Sequence, residues 1–300
     1  MKVLDLFAGM GGFSYGLARA GYTVTGVDIN PWTGEIFKKN KIGNVLIKDL
    51  NRDFINDNPD IITGGPPCRP WSTLNIRKRH KKHEDYSLLE RFFEHIFNLK
   101  PRIFIFENVP AIRKDSTLAS IKKKLILSEF HIMDTIINYS HFGAATSRRR
   151  YFLFGFYRNP GLLSAFSREL SEHSCTPQTV EQVIGKFRYM KEKETPDHEW
   201  PKLKTIHKYK DKYRTRKFGW AILEWGKPAP SFGNVMKTYI LHPDGKRVIS
   251  IREALAIFGF GDDFSFPEGM GKGIRYQMVA DTVSPMFSFF IGNLIKKLTG

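Results

Sequence analysis

The first half of this 300-residue chain alternates short apolar runs with amphipathic stretches, and that alternation admits few folds. Runs at 2–7, 23–28, 45–47, 60–63, 102–107, 131–138 and 150–157 have strand length, and 12–20, 87–99 and 117–128 read as helices between them. Such a sequence predicts an α/β fold with a mostly parallel sheet, because parallel neighbours need a crossover to bring the chain back. Leu88, Leu89, Phe92, Phe93, Ile96 and Leu99 recur at helical spacing, so one side of that helix faces a core.

The texture changes after Asn159. Residues 160–249 show little periodicity, many basic and aromatic side chains and frequent Gly and Pro breaks, the marks of a smaller, loop-rich domain. Within it, 241–248 predicts a hairpin, since Pro243-Asp244-Gly245 supplies turn geometry between strand-like flanks. Helical spacing returns at 252–258 and 285–298, so 250–300 is expected to pack back on a first domain of residues 1–159.

Charge narrows the partner. The chain has 47 Lys and Arg against 30 Asp and Glu, a net charge of +17, which favours a polyanion such as nucleic acid over a merely soluble basic surface. No apolar run reaches the roughly 18 residues of a membrane span, and Met1-Lys2 leads directly into a strand rather than a leader, so a cytoplasmic protein is expected. Its two cysteines, Cys68 and Cys175, predict neither a structural disulfide nor a metal cluster.

Two loops carry the chemistry. Phe7-Ala-Gly-Met10-Gly-Gly12 sits where the first strand turns into the first helix, and glycines there let a nucleotide approach the backbone. Asp28 ends the next strand, where a carboxylate reaches ribose hydroxyls, and Asp49 follows the third. These features fit NAD, FAD or S-adenosylmethionine, or only a tight turn. The second loop, Gly64-Gly-Pro-Pro67-Cys68, ends another strand. Its prolines fix the backbone before a cysteine placed for nucleophilic attack if nearby positive charge favours the thiolate; the alternative is a small buried hydrophobe. Glu107 ends an apolar strand, where a carboxylate must be hydrogen-bonded or protonated; it suits an acid, or a helix cap. Alternation puts Arg148 and Arg150 on one face of a further strand.

In order, Phe7-Ala-Gly-Met-Gly-Gly12, Asp28, Asp49, Pro66-Pro-Cys68, Glu107-Asn-Val109, Arg148-x-Arg150, Arg252-Glu253 and the segment from Gln277 to Pro285 resemble the cytosine-5 DNA methyltransferase family, over nearly the whole chain. The resemblance implies a Rossmann-like, S-adenosylmethionine-dependent catalytic domain and a target-recognition domain at 160–249. It implies a Cys68 thiolate adding to cytosine carbon 6, Glu107 assisting at ring nitrogen 3 and the amine, and Arg150 with Arg148 binding the carbonyl oxygen. The base would be flipped out of the duplex, and no metal is called for. Around the cofactor it puts Phe7, Met10, Gly12, Asp28, Ile29, Asp49, Leu50, Pro67, Leu88 and Asp281. Residues 69–87 match the family's mobile loop, and Arg77, Lys78 and Arg79 within it suit phosphate contact.

Several positions depart from the family pattern. Arg69 and Trp71 stand for Gln and Phe, Thr146 for Gln, Asp28 for Glu, and Ala280-Asp281 for Gly-Asn; none removes a group the chemistry needs. Lys208, Lys210, Arg214 and Arg216, among aromatic neighbours, are expected to touch double-stranded DNA. A single recognition region and no appended regulatory domain resemble a monomeric prokaryotic restriction–modification enzyme, whose partner nuclease would act on the same site without a stable complex. The nearest rival is a tRNA cytosine-5 methyltransferase, but its Cys-Phe-Thr tripeptide is absent here. A catalytically silent DNA-binding relative is the other.

Overall fold

The computed structural model describes residues 1–69, 71, 83–202, 206–209, 213 and 219–300. Its centre is a seven-stranded sheet: β1 (Lys2–Leu6), β2 (Thr23–Asp28), β3 (Asn44–Ile47), β4 (Ile61–Gly64), β5 (Ile103–Asn108), β6 (Phe130–Asn138) and β7 (Arg149–Tyr157). The spatial order is β3-β2-β1-β4-β5-β7-β6, and β7 alone runs against its neighbours. The fold is therefore the mostly parallel α/β one expected of S-adenosylmethionine-dependent methyltransferases.

Strand alternation builds the core on both faces. Leu4, Leu6, Ile62, Phe104, Phe106, Tyr151 and Leu153 pack with α3 (Ser87–Leu99) and α4 (Ser116–Leu127). Their sequence neighbours Val3, Ile61, Ile103, Ile105, Phe152, Phe154 and Phe156 pack on the other face, with Phe13 and Leu17 of α1 (Gly12–Arg19) and residues of the C-terminal helix. A strand buried on both faces has no polar alternation to show, and β5 is such a strand along its whole length.

Two helices begin on Asn-Pro pairs that periodicity passed over. α2 (Pro31–Lys39) is capped by Asn30, whose Oδ1 accepts from Trp32 N at 3.1 Å. α5 (Pro160–Glu172) is capped by Asn159, whose Oδ1 accepts from Leu162 N at 2.9 Å. Cap residue and fixed φ at the first helical position are a start signal in themselves. The second of these lays Phe166 of α5 against Phe154 and Phe156 of β7, so the first helix after Asn159 packs on the sheet.

Beyond α5 the chain is irregular as expected, with α6 (Val180–Ile184) and a two-residue parallel pair, β8 (Ala221–Ile222) with β9 (Ile240–Leu241). The predicted hairpin is present: Leu241 bridges Val248, His242 N donates to Arg247 O at 2.9 Å, and Gly245 turns the chain at φ 71°. The return to the sheet is made by α7 (Ile251–Phe258), α8 (Lys272–Asp281) and α9 (Pro285–Thr299). Averaged over 272–299 the last two are long and apolar enough to cross a membrane. Residues 282–284 divide them, however, and 72% of the apolar window is buried inside the protein.

The turn leading into α9 reaches α1 at backbone distance. A β-carbon on Gly12 would lie 2.1 Å from Val283 O and 2.2 Å from Thr282 Oγ1. Neither α1 nor the 282–283 turn can yield without disturbing the sheet. Gly12→Ala is expected to destabilise the protein by about 2–3 kcal/mol, read from the shift of the urea-unfolding midpoint.

Candidate active site

A parallel sheet brings the carboxyl ends of its strands to one edge, and Leu6, Gly64 and Phe106 lie level across β1, β4 and β5. Because β7 runs the other way, it contributes its beginning to that same edge, with Tyr151 opposite Asn108. The Gly-rich turn, the Cys68 loop, Glu107 and the arginines, spread over 144 positions of sequence from Phe7 to Arg150, are thereby gathered along one rim.

Glu107 is 8% exposed, and Arg150 Nε lies 3.0 Å from its Oε1. Its carboxyl is held above the usual range because burial outweighs the opposing charges of Arg150 and Arg148. Two neighbours set its place. A β-carbon on Gly65 would come within 2.7 Å of Glu107 Oε2, so only glycine lets the loop pass so close. Asn108 Nδ2 donates to Pro66 O at 3.0 Å, tying the end of β5 to the loop that carries the cysteine.

Cys68 is partly buried. Burial pushes its thiol up, and Asp281 and Glu107 add to that; Arg150 and Arg148 pull the other way and lose. The expected lowering by neighbouring cations is therefore absent in the protein alone. The two sides are nonetheless one electrostatic cluster, which Asp281 joins: its own carboxyl is raised by burial against a hydrogen bond from Gln277 and the charges of Arg148, Arg150 and Arg69.

Arg148, expected beside Arg150 at the substrate, is held within the fold. It is 3% exposed, and its guanidinium donates to Phe232 O at 3.1 Å and to Ala280 O. The strand extension before it is sandwiched: Ala145 N donates to Ile257 O, and Ser147 N to Ala229 O. Arg148 thus joins the sheet, the irregular region and α8, while Arg150 presents its head beside Glu107. Burial brings the Arg148 guanidinium down to about 10.

Along the cofactor side, Gly9 and Gly11 take φ 57° and 85°, and Phe7 itself sits at φ 60°. A β-carbon on Gly9 would meet nothing within 4 Å, so the turn faces open space. Ile29 is 64% exposed directly after a buried strand, an apolar surface at the sheet edge suited to a flat ring. Asp28 accepts from Gly9 N and Asn30 N, both at 2.8 Å, which shapes the turn and leaves carboxylate lone pairs for hydroxyls. Pro67, Asp49 and Leu88 are half-buried around this opening. Met10 and Leu50 are 1% and 4% exposed and Gly12 is packed on the 282–283 turn, so these three can contribute backbone only. Phe7 is partly buried against the core.

Three contributors escaped the sequence reading. Arg91 Nε donates to Leu50 O at 3.1 Å, and His95 Nε2 accepts from Ile55 N at 3.1 Å, so α3 holds the loop that carries Asp49. Asp5, 1% exposed, accepts from Ser14 Oγ at 2.5 Å and Thr63 Oγ1 at 2.8 Å, joining β1, α1 and β4 beneath both loops. Only their partners, distant in sequence, reveal them. Burial raises the Asp5 carboxyl to about 6 from 3.8. The contribution of a raised acid is full below its unfolded value and is lost as pH rises through its folded one. Between pH 4 and 6, Asp5 should therefore cost on the order of 2–3 kcal/mol of stability, a slope that Asp5→Asn removes in urea titrations at a pH series.

Of the expected DNA contacts, Lys208 is exposed on a short turn. Arg77, Lys78, Arg79, Lys210, Arg214 and Arg216 lie outside the described residues.

The sequence model of the C-5 cytosine-specific DNA methylases matches residues 1–297. This chain belongs to that family. It is 31% identical over 195 residues, 62% of either chain, to the type II methyltransferase M.HindV of Haemophilus influenzae. Against M.MthTI of Methanothermobacter thermautotrophicus, a second type II methyltransferase, identity is 26% over 99% of this chain and 97% of the other. The Entamoeba histolytica methyltransferase EhMeth has the same fold at 19% identity, with a TM-score of 0.74 over 100% and 99% of the two chains. This methylase is thus a DNA cytosine methyltransferase by family, with type II restriction–modification enzymes among its relatives.

Proposed function

We propose that this methylase transfers a methyl group from S-adenosylmethionine to carbon 5 of a cytosine flipped out of a specific duplex sequence. The observation that carries the reading is the convergence of Cys68, Glu107 and Arg150 on one rim beside the open Gly-rich turn. Bound S-adenosylmethionine would supply an electrophilic methyl and a positive sulfonium. Phe7, Gly9, Asp28, Ile29, Asp49, Pro67 and Leu88 would hold it, with Asp281 at the border with Cys68.

Each protein group then has one task. The Cys68 sulfur forms a bond to carbon 6 of the base, which makes carbon 5 electron-rich. Glu107, its acid form favoured by burial, hydrogen-bonds ring nitrogen 3 and the exocyclic amine as charge builds there. Arg150, oriented by Glu107, binds the carbonyl oxygen. After methylation a base takes the carbon 5 proton and the carbon–sulfur bond breaks. Arg148 acts at one remove, by fixing the walls of the site.

The net charge of +17 supports a duplex partner, whose affinity would fall steeply with salt. Residues 160–249, with Lys208, Lys210, Arg214 and Arg216, would form the recognition region, and Arg77, Lys78 and Arg79 would contact phosphates. The type II methyltransferases among its relatives support a restriction–modification role, and the proposal extends to a monomeric cytoplasmic enzyme whose nuclease acts separately. The test is transfer of labelled methyl to unmethylated duplex DNA and to tRNA in parallel. Label in DNA alone supports the reading. Label in tRNA alone overturns it, and bound cofactor without transfer to either indicates a silent relative.

A further inference from the structure

The loop bearing Cys68 is held from a direction that the chemistry above does not use. Trp71 N donates to Cys68 O at 3.0 Å, closing a four-residue turn, so the position of the Trp71 ring and the orientation of Cys68 are mechanically linked. The indole of Trp71 is 4% exposed and its Nε1 donates to Asp115 Oδ2 at 2.8 Å. Asp115 also receives the Tyr86 hydroxyl, at 2.9 and 3.0 Å from its two oxygens, and the Trp71 and Tyr86 rings lie 5.3 Å apart.

Asp115 is itself fixed. Its Oδ1 caps α4, accepting from Thr117 N at 2.8 Å and Leu118 N at 3.2 Å, and the Tyr86 hydroxyl lies 2.8 Å from Thr117 Oγ1. The carboxylate therefore joins three parts of the chain: the turn after Cys68, the start of α3 and the start of α4. Beside it Arg69 Nε meets Asp85 Oδ2 at 2.8 Å, a second tie between the residues following Cys68 and those preceding α3. Burial works to raise the Asp115 carboxyl, but these donors prevail and keep it below the usual carboxylate range, so the acceptor stays charged.

A cap needs one oxygen and would serve α4 without any of this. What the helix does not explain is the second oxygen turned to the indole of a residue whose backbone N–H is hydrogen-bonded back to the Cys68 carbonyl. We propose that Asp115 is a positioning residue for Cys68, acting through Trp71 and braced by Tyr86. The proposal rests on Cys68 being the nucleophile, as argued above. A misplacement of about 1 Å at a reacting atom can cost about a hundredfold in rate, so a buried charged hydrogen bond one turn away is a sufficient lever.

Trp71→Phe keeps a buried aromatic ring while removing the N–H donor along with part of the indole volume; Asp115→Asn keeps a competent cap and removes the charge. The full-length enzyme is saturated with S-adenosylmethionine and mixed with duplex DNA carrying 5-fluorocytosine, which traps the cysteine adduct after methylation because the fluorine cannot leave as a proton would. Both single variants are expected to trap about ten- to a hundredfold more slowly, with S-adenosylmethionine affinity within about twofold and the thermal midpoint close to wild type. The double variant should be no slower than the slower single one, because one hydrogen bond cannot be lost twice. Wild-type rates in Trp71→Phe, or strictly multiplicative losses in the double variant, would overturn the proposal. A loss matched by equal loss of cofactor affinity would do so too, since it makes the contact merely structural. If the wild-type enzyme itself forms no adduct, the failure belongs to the nucleophile reading and not to Asp115.

Discussion

Cys68→Ala is expected to reduce methyl transfer by at least about 10⁴-fold while leaving S-adenosylmethionine binding and the unfolding midpoint essentially unchanged. No neighbouring group can replace the sulfur in forming the bond to the ring, and the thiol's environment is one that disfavours its charge, so nothing in the fold depends on its ionisation. Burial and the charges of Asp281 and Glu107 hold the Cys68 thiol above its ordinary value, against Arg150 and Arg148. Alkylation of the free protein by iodoacetamide at neutral pH should accordingly be slow at Cys68 and ordinary at the exposed Cys175, which serves as internal reference. With cofactor bound, the added positive charge should speed the Cys68 reaction. Full methylation by the alanine variant would exclude Cys68 as nucleophile; equal reactivity of the two cysteines in every state would instead show that the Cys68 thiol is not held above its ordinary value.

Glu107→Gln is expected to lower the rate by about 10²- to 10³-fold, with a change in pH dependence that a packing defect would not produce. Burial raises the Glu107 carboxyl despite the opposing Arg150 and Arg148. Its acid form is thus favoured by folding. The sign follows: its contribution to stability is complete below the unfolded value of 4.5 and is lost as pH rises through the folded one. Wild-type activity requiring the acid should fall over the same upper limb. The glutamine variant keeps a hydrogen-bonding amide but has no proton to yield, so both limbs should flatten in pH series of rate and of urea stability. A glutamine variant with wild-type rate and an unchanged profile would remove Glu107 from the chemistry.

Much of this was written in local sequence. The strands appear as apolar runs, and the helix at Ser87–Leu99 is visible at its full length because one face is apolar and its neighbours polar. The helices at Pro31–Lys39 and Pro160–Glu172 were missed by periodicity, though their Asn-Pro starts are local signals too. The Pro-Pro-Cys loop, Glu107 and the arginine pair each announce unusual chemistry by type and setting. Their residue types restrict what each can do before any partner is known.

Partnership was not legible in the same way. Arg148 and Arg150 are two positions apart and share a strand face in the sequence, yet one donates to the carbonyls of Phe232 and Ala280 while the other meets Glu107. Met10 and Leu50 stand in motifs around the cofactor, but their side chains are core. Asp5 and Asp115 are ordinary acids in the sequence and junctions in the fold, each joining segments from three elements. The chain by itself determined the sheet, the loops and the kinds of chemistry available, because backbone propensity, apolar spacing and side-chain functional groups are local properties. Which of those groups are buried, which are tied to structure and which are left at the rim was decided by the tertiary structure alone, because burial and hydrogen-bond partners depend on residues that the fold, with its reversed strand β7 and returning C-terminal helices, brings together from distant parts of the sequence.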